Sequence, residues 1–189
     1  MAIAEKSRDL NVPFAGHIPG SVTIWEAMEA GQKSAEHLYG LLEACTNDPE
    51  GLAEVSSRDR FGPAKSNFLV DTFDRAKFDT VKKALAESDT WLSPTLTVLR
   101  SIANLNDETL QEDPRLEYMP VFMKNMWNPK NDFRFKNRGD AYYEASRKKY
   151  ELQLSLMGEL EQAGVKIIAG TDYPNPYCYP GFSLHDELA

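Results

Sequence analysis

The sequence predicts an α/β fold built on parallel strands, and two observations carry that prediction. Four short apolar runs, at residues 12–17, 34–38, 90–97 and 165–172, alternate with stretches whose apolar residues recur at helical spacing. Each gap between consecutive runs is long enough for a helical crossover, which is the connection that a parallel pair of strands requires. Periodicity alone leaves an open sheet and a closed barrel as alternatives.

In chain order, Ala2 to Leu10 reads as a helix stopped by Asn11-Val12-Pro13. Val12 to His17 is the first strand, broken by Pro19-Gly20. Thr23-Ile24-Trp25-Glu26 matches a capping box and opens a short helix, with Gly31 suited to follow its last turn. Ser34 to Leu38 is a second, weaker strand, after which Pro49, Gly51, Gly62 and Pro63 mark a polar stretch as loop. From Asp71 to Ser88 the spacing of Phe73, Phe78, Val81 and Leu85 is helical. Thr90 to Thr97 is the third strand, with Pro94 near its end because proline lacks the N–H that a ladder needs. Between residues 104 and 138, Pro114, Pro120 and Pro129 punctuate short helical pieces. There Phe122, Met123, Met126 and Trp127 either cover an apolar site as a lid or pack as a surface excursion. Tyr143, Tyr150, Leu154, Met157 and Leu160 mark one face of a long helix from Asp140 to Ala163, and Gly164 ends it. Val165 to Asp172 is the clearest strand, and Phe182 to Leu188 starts another helix, with Ser183 and Asp186 near capping-box spacing. The first and last helices read as parts of longer elements. Residues 1–189 are therefore expected to form a single partial domain, truncated at both ends.

Composition narrows the class. With 189 residues, 42% hydrophobic and 26% charged, the chain suits one globular domain. A formal net charge of −8 argues against a nucleic-acid partner, since phosphate neutralisation needs clustered Lys and Arg. No apolar run approaches the roughly 20 residues of a membrane span, and the first residues lack a signal-peptide apolar segment. Cys45 and Cys178 form neither a disulfide framework nor a zinc-ribbon spacing. No glycine-rich phosphate-binding motif follows any strand.

Two of the three histidines, His17 and His37, fall with Asp172 at or just beyond the C-terminal ends of separate strands. In barrels and open α/β sheets alike, chemistry is sited at that edge. Two neutral imidazoles and a carboxylate suit zinc or a similar divalent ion. Such an ion lowers the pKa of bound water towards about 7, and Asp172 could also accept the proton. Taken singly, each histidine reads as a hydrogen-bonded core or surface residue; the joint placement favours a metal site. His185 lies on the incoming helix and reads as a surface or capping residue. The loop from Tyr173 to Pro180 should overhang the site, its aromatics either lining a pocket or packing the loop. Cys178 in that loop is not needed as a nucleophile.

Gly16-His17-Ile18-Pro19, then Glu36-His37-Leu38, then Ala169-Gly170-Thr171-Asp172 resemble, in order and spacing, the amidohydrolase superfamily. Pro180 to Leu188 also resembles the segment after the last barrel strand in its imidazolonepropionase-like and prolidase-like branch. The resemblance implies a partial (β/α)8 TIM barrel, strands five to eight with their helices. It makes His17 the fifth-strand metal histidine, His37 the sixth-strand one, and Asp172 the eighth-strand ligand and proton shuttle. The family's first-strand His-x-His pair does not occur in this sequence. The implied activity is hydrolysis of an amide-type C–N bond in a peptide-like or cyclic amide substrate, with a divalent metal, zinc foremost, as cofactor. The alternative is a half-barrel module that binds metal without turnover. With half a barrel the edge strands would be bare, so a homo-oligomer that covers them is expected.

Overall fold

The structure, a computed structural model, describes residues 2–189. The helix α1 (Ala2–Leu10) comes first, then α2 (Ile24–Glu29), whose capping box forms as expected: Glu26 N–H donates to Thr23 Oγ1, and Thr23 N–H donates back to Glu26. The strand β1 (Ser34–Glu36) is followed by α3 (Leu41–Ala44), α4 (Pro49–Arg58), α5 (Pro63–Asp71) and α6 (Arg75–Glu87). Strand β2 (Trp91–Ser93) leads into α7 (Leu96–Ala103), two 3₁₀ turns and α8 (Val121–Trp127). The long α9 (Asp140–Gln162) and the short α10 (Phe182–Leu188) complete the order.

The four expected strands lie side by side, parallel and in chain order, although only the middle two are regular. Ala35 pairs with Leu92 between β1 and β2. Gly16 bridges to Ala35 on one side, and Ile167 bridges to Leu92 on the other. Each outer segment meets its neighbour at a single bridge, so neither extends into a ladder. The hydrogen bonds of β2 alternate by residue: Trp91 N–H and Ser93 C=O bond towards β1, whereas Leu92 N–H and C=O bond towards residues 166–168. This is the pattern of a strand held from both sides. Gln32 adds a brace, donating from Nε2 to the carbonyls of Gly16 and Ser34 at 2.7 and 2.8 Å.

One face of this sheet carries the core. Ala35 and Leu92 are fully buried against Ile24 and Ala27 of α2, Phe78, Val81 and Leu85 of α6, and Leu156 and Leu160 of α9. The opposite face, following the two-residue alternation of strands, is uncovered. Lys33, Ser34, Glu36, Trp91, Ser93, Ile168 and Ala169 line an open groove of about 330 Å³ there. Trp91 is 44% exposed and Ile168 50% exposed. A second apolar cluster joins the 104–138 excursion to the last loop: Met119, Met123, Trp127 and Phe135 pack with Tyr143, Tyr177 and Tyr179.

Several expectations need correction. The stretch expected as loop around Pro49 and Pro63 is two helices. Each proline stands at the first helical position, where its missing N–H costs nothing, behind Asp48 and Gly62 as caps. The third strand stops at Ser93 instead of Thr97; Thr95 turns left-handed and Leu96 begins α7. The buried line of α9 runs through Tyr143, Ala145, Gln153, Leu156 and Leu160, leaving Leu154 46% exposed. The helix is shared between two clusters, so its inward face is not the one a single stripe describes. In α10, Gly181 precedes the first turn, and Ser183 instead accepts from Tyr179 N–H at 2.8 Å. Of the excursion's apolar residues, Met123 and Trp127 are buried while Phe122 and Met126 are exposed. This is the packed-excursion alternative.

Leu92→Ala should cost about 2–5 kcal/mol of unfolding free energy, because the residue is fully enclosed between helices. Its neighbour on the open face, Trp91→Ala, should cost less than Leu92→Ala, because the indole lies outside the core of the chain. Urea denaturation of the two variants checks the sidedness of the sheet.

Candidate active site

The side chains at the ends of the four parallel segments converge. His17 follows Gly16, His37 follows β1, Thr95 follows β2, and Asp172 follows the last segment. His37, Leu38, Thr95 and Asp172 all have left-handed backbones, with φ of 59°, 56°, 51° and 53°. A non-glycine residue in that region costs on the order of 1 kcal/mol, and such residues concentrate where a structure aims side chains for a purpose. The neighbouring strand holds the conformation in place: His37 N–H donates to Ser93 C=O at 2.9 Å. Gly170 lets the last segment close in, since a Cβ there would stand 2.7 Å from Ser93 Oγ and 3.2 Å from Thr95 Cγ2.

The result is a cluster of rings and one carboxylate. The His17 and His37 rings are 4.7 Å apart between centroids, and Tyr39 sits edge-on to both at 5.3 and 5.4 Å. His37 is buried, whereas His17 and Asp172 are exposed. Thr95 is the partner of His37 Nδ1, 2.5 Å away. With the Thr95 hydroxyl donating to Pro94 C=O at 2.7 Å, its oxygen accepts from His37 Nδ1–H. The Nε2 lone pair is left facing Asp172 Oδ2 at 3.7 Å. Burial holds the imidazole below its ordinary pKa, the nearby Asp172 charge opposes that, and His17 reinforces it. His37 is therefore neutral at pH 7, and two acceptors confront each other across a short gap.

A divalent ion fits that gap chemically. Ligands about 2.1 Å from one ion stand 3.7 Å apart at an angle somewhat wider than tetrahedral. The Thr95 contact on the far nitrogen is the outer support that a ligating histidine usually has. As the side chains are placed, however, no group of three His, Cys, Asp or Glu residues among the described residues converges tightly enough to hold an ion. The His37–Asp172 pair brackets a position; His17 stands beside it.

The other candidates separate clearly. His185 is exposed on α10, as a surface residue would be. In the last loop Tyr177, Cys178 and Tyr179 are buried and Tyr173 is 47% exposed, so the loop's inner aromatics pack its base. Burial pushes the Cys178 thiol up to about 12, with Asp172 adding to the effect, so it remains protonated and unreactive at neutral pH. Sequence reasoning missed Thr95 and Asn175 as partners of the site. Asn175 Nδ2 donates to Asp172 Oδ2 at 2.7 Å and to Asp172 C=O at 3.0 Å. Its spacing, three residues after an aspartate in a proline-rich loop, is a turn signal that could have found it.

Neither a family model nor a curated protein matches the chain. Among solved structures it is similar to bottromycin amidohydrolase, with a TM-score of 0.66 and 18% sequence identity over 99% of this chain. The chain spans 37% of that protein's length. At this identity the likeness is one of fold: the chain has an amidohydrolase-like fold over that part.

The depressed basicity of His37 makes a signed prediction. Below its ordinary value of 6.5 the unfolded chain takes up a proton that the folded His37 resists, so stability falls as pH drops through that value. His37→Asn should show a shallower loss of stability than the parent between about pH 7 and pH 5. Urea midpoints of both proteins across that range measure it.

Proposed function

We propose that this chain is the second half of a (β/α)8 barrel of the imidazolonepropionase-like or prolidase-like type, a single partial domain over residues 1–189. In this reading His17, His37 and Asp172 hold a divalent metal ion, zinc foremost, and the barrel hydrolyses an amide-type C–N bond in a peptide-like or cyclic amide substrate. One observation carries the reading: the His37 Nε2 lone pair and the Asp172 carboxylate face each other 3.7 Å apart, an arrangement that a cation relieves. The amidohydrolase-like fold and the parallel order of the four segments support it.

The ion, when bound, supplies an activated water and polarises the carbonyl under attack. The protein's own groups do the rest. Thr95 keeps the His37 proton on Nδ1, so that Nε2 presents its lone pair. Asp172 takes the proton of the attacking water on a carboxylate oxygen and passes it to the leaving nitrogen. Asn175 occupies Oδ2 with one hydrogen bond, which leaves Oδ1 as the oxygen with room for that transfer.

A second reading, metal binding without turnover, draws on a specific observation: no three donors converge among the described residues. Metal analysis and amide hydrolysis separate the two. Zinc binding that Asp172→Ala weakens at least about tenfold, together with turnover of a dipeptide or cyclic amide that chelation abolishes, is the outcome expected of the first. Zinc bound with no turnover selects the second, and no zinc at all refutes both.

The uncovered face, with Trp91 and Ile168 exposed, is proposed to be covered by a second copy of the chain. Light scattering should then return at least twice the chain mass; a monodisperse monomer contradicts it.

A further inference from the structure

The carboxylate of Asp172 is fastened from a direction unrelated to the sheet. Asn175 uses both amide hydrogens on Asp172, one on Oδ2 and one on the main-chain carbonyl. Its remaining polar atom, Oδ1, accepts from Arg134 Nη1 at 2.8 Å. Arg134 is itself immobilised: Nε and Nη2 fork onto both oxygens of Asp132, at 3.1 and 2.7 Å on the nearer geometry of each. Between these points Trp127 Nε1–H donates to Pro174 C=O at 2.9 Å, and the indole packs on Tyr177 and Tyr179. The 104–138 excursion thus grips the loop that follows Asp172.

We propose that Arg134 is a positioning residue for Asp172, acting through the side-chain amide of Asn175. An asparagine amide can rotate by half a turn and exchange its oxygen and nitrogen. Here the rotated form would set Oδ1 against the Asp172 carboxylate and Nδ2 against the guanidinium, two repulsions in place of three hydrogen bonds. The Arg134 charge therefore selects the orientation that offers N–H to Asp172. With Oδ2 engaged and the backbone of Asp172 held at φ 53°, the carboxylate is kept facing His37. Nothing in the local sequence requires this; Arg134 is 38 positions away from Asp172 along the chain and reaches it only in the folded state. As far as it concerns metal binding, the inference rests on the reading of Asp172 as a ligand.

Two measurements on the full chain test it. In the metal-free protein, the Asn175 side-chain NH₂ resonances should be dispersed and slow to exchange. In Arg134→Met, which keeps the stem but removes every donor, they should move towards free-amide values while Lys136→Ala leaves them in place. In cobalt(II) titrations followed by the visible spectrum, Asn175→Ala should weaken binding about ten- to a hundredfold, in the range for lost outer support of a ligand. Arg134→Met should weaken it about tenfold, and the double variant should bind no more weakly than Asn175→Ala alone, because both act through one bond. Losses that add in the double variant, or Asn175 resonances that ignore Arg134→Met, overturn the proposal. A parent protein that binds no cobalt refutes the metal reading, and the resonances then decide the clamp by themselves.

Discussion

The hydrogen bonds of Trp91–Ser93 are the constraint on which the rest depends. Residue by residue they point to alternate sides, joining β1 on one flank and residues 166–168 on the other. With Gly16 attached beyond β1, this strand sets the register of all four segments. It follows that the residues just past each segment end at the same level. His17, His37, Thr95 and Asp172 meet because their strands are in register, and the Ser93 carbonyl that holds His37 N–H belongs to the same strand.

The alternation that organises the hydrogen bonds also divides the faces. Leu92 and Ala35 turn into a core made by α2, α6 and α9, while Trp91, Ser93, Ser34 and Glu36 turn to an open groove. Parallel sheets are ordinarily covered on both faces, whereas here Trp91 and Ile168 stay exposed on one of them. Glu36 and Ser93, which line the groove, stand one and two residues before His37 and Thr95.

Strain and support are concentrated at the upper rim. Four left-handed non-glycine residues, His37, Leu38, Thr95 and Asp172, stand where a strand turns towards a loop. Thr95, one strand over, decides which nitrogen of His37 is free. Asn175 and Arg134, from the loop and the excursion, decide how the Asp172 carboxylate is presented. The excursion, for which the sequence leaves a lid and a packed surface segment as alternatives, is fastened to the last loop by Trp127.

The sequence by itself determined the number and order of the parallel segments, the amphipathic character of the helices over residues 71–88 and 140–163, and the three strand-end residues His17, His37 and Asp172. These follow from patterns local to a few residues: alternation, helical spacing, and a polar residue at the end of an apolar run. It misled wherever a residue has two local uses. Pro49 and Pro63 can end one segment or begin a helix; each begins one, at the first helical position behind Asp48 and Gly62. Thr95 reads as strand in the sequence, yet its backbone is left-handed and Leu96 already begins α7. Tertiary structure alone decided the tautomer of His37, the orientation of Asn175 and the reach of Arg134 to Asp172. Each of those depends on a contact between residues far apart in the chain, and no spacing rule encodes such a contact.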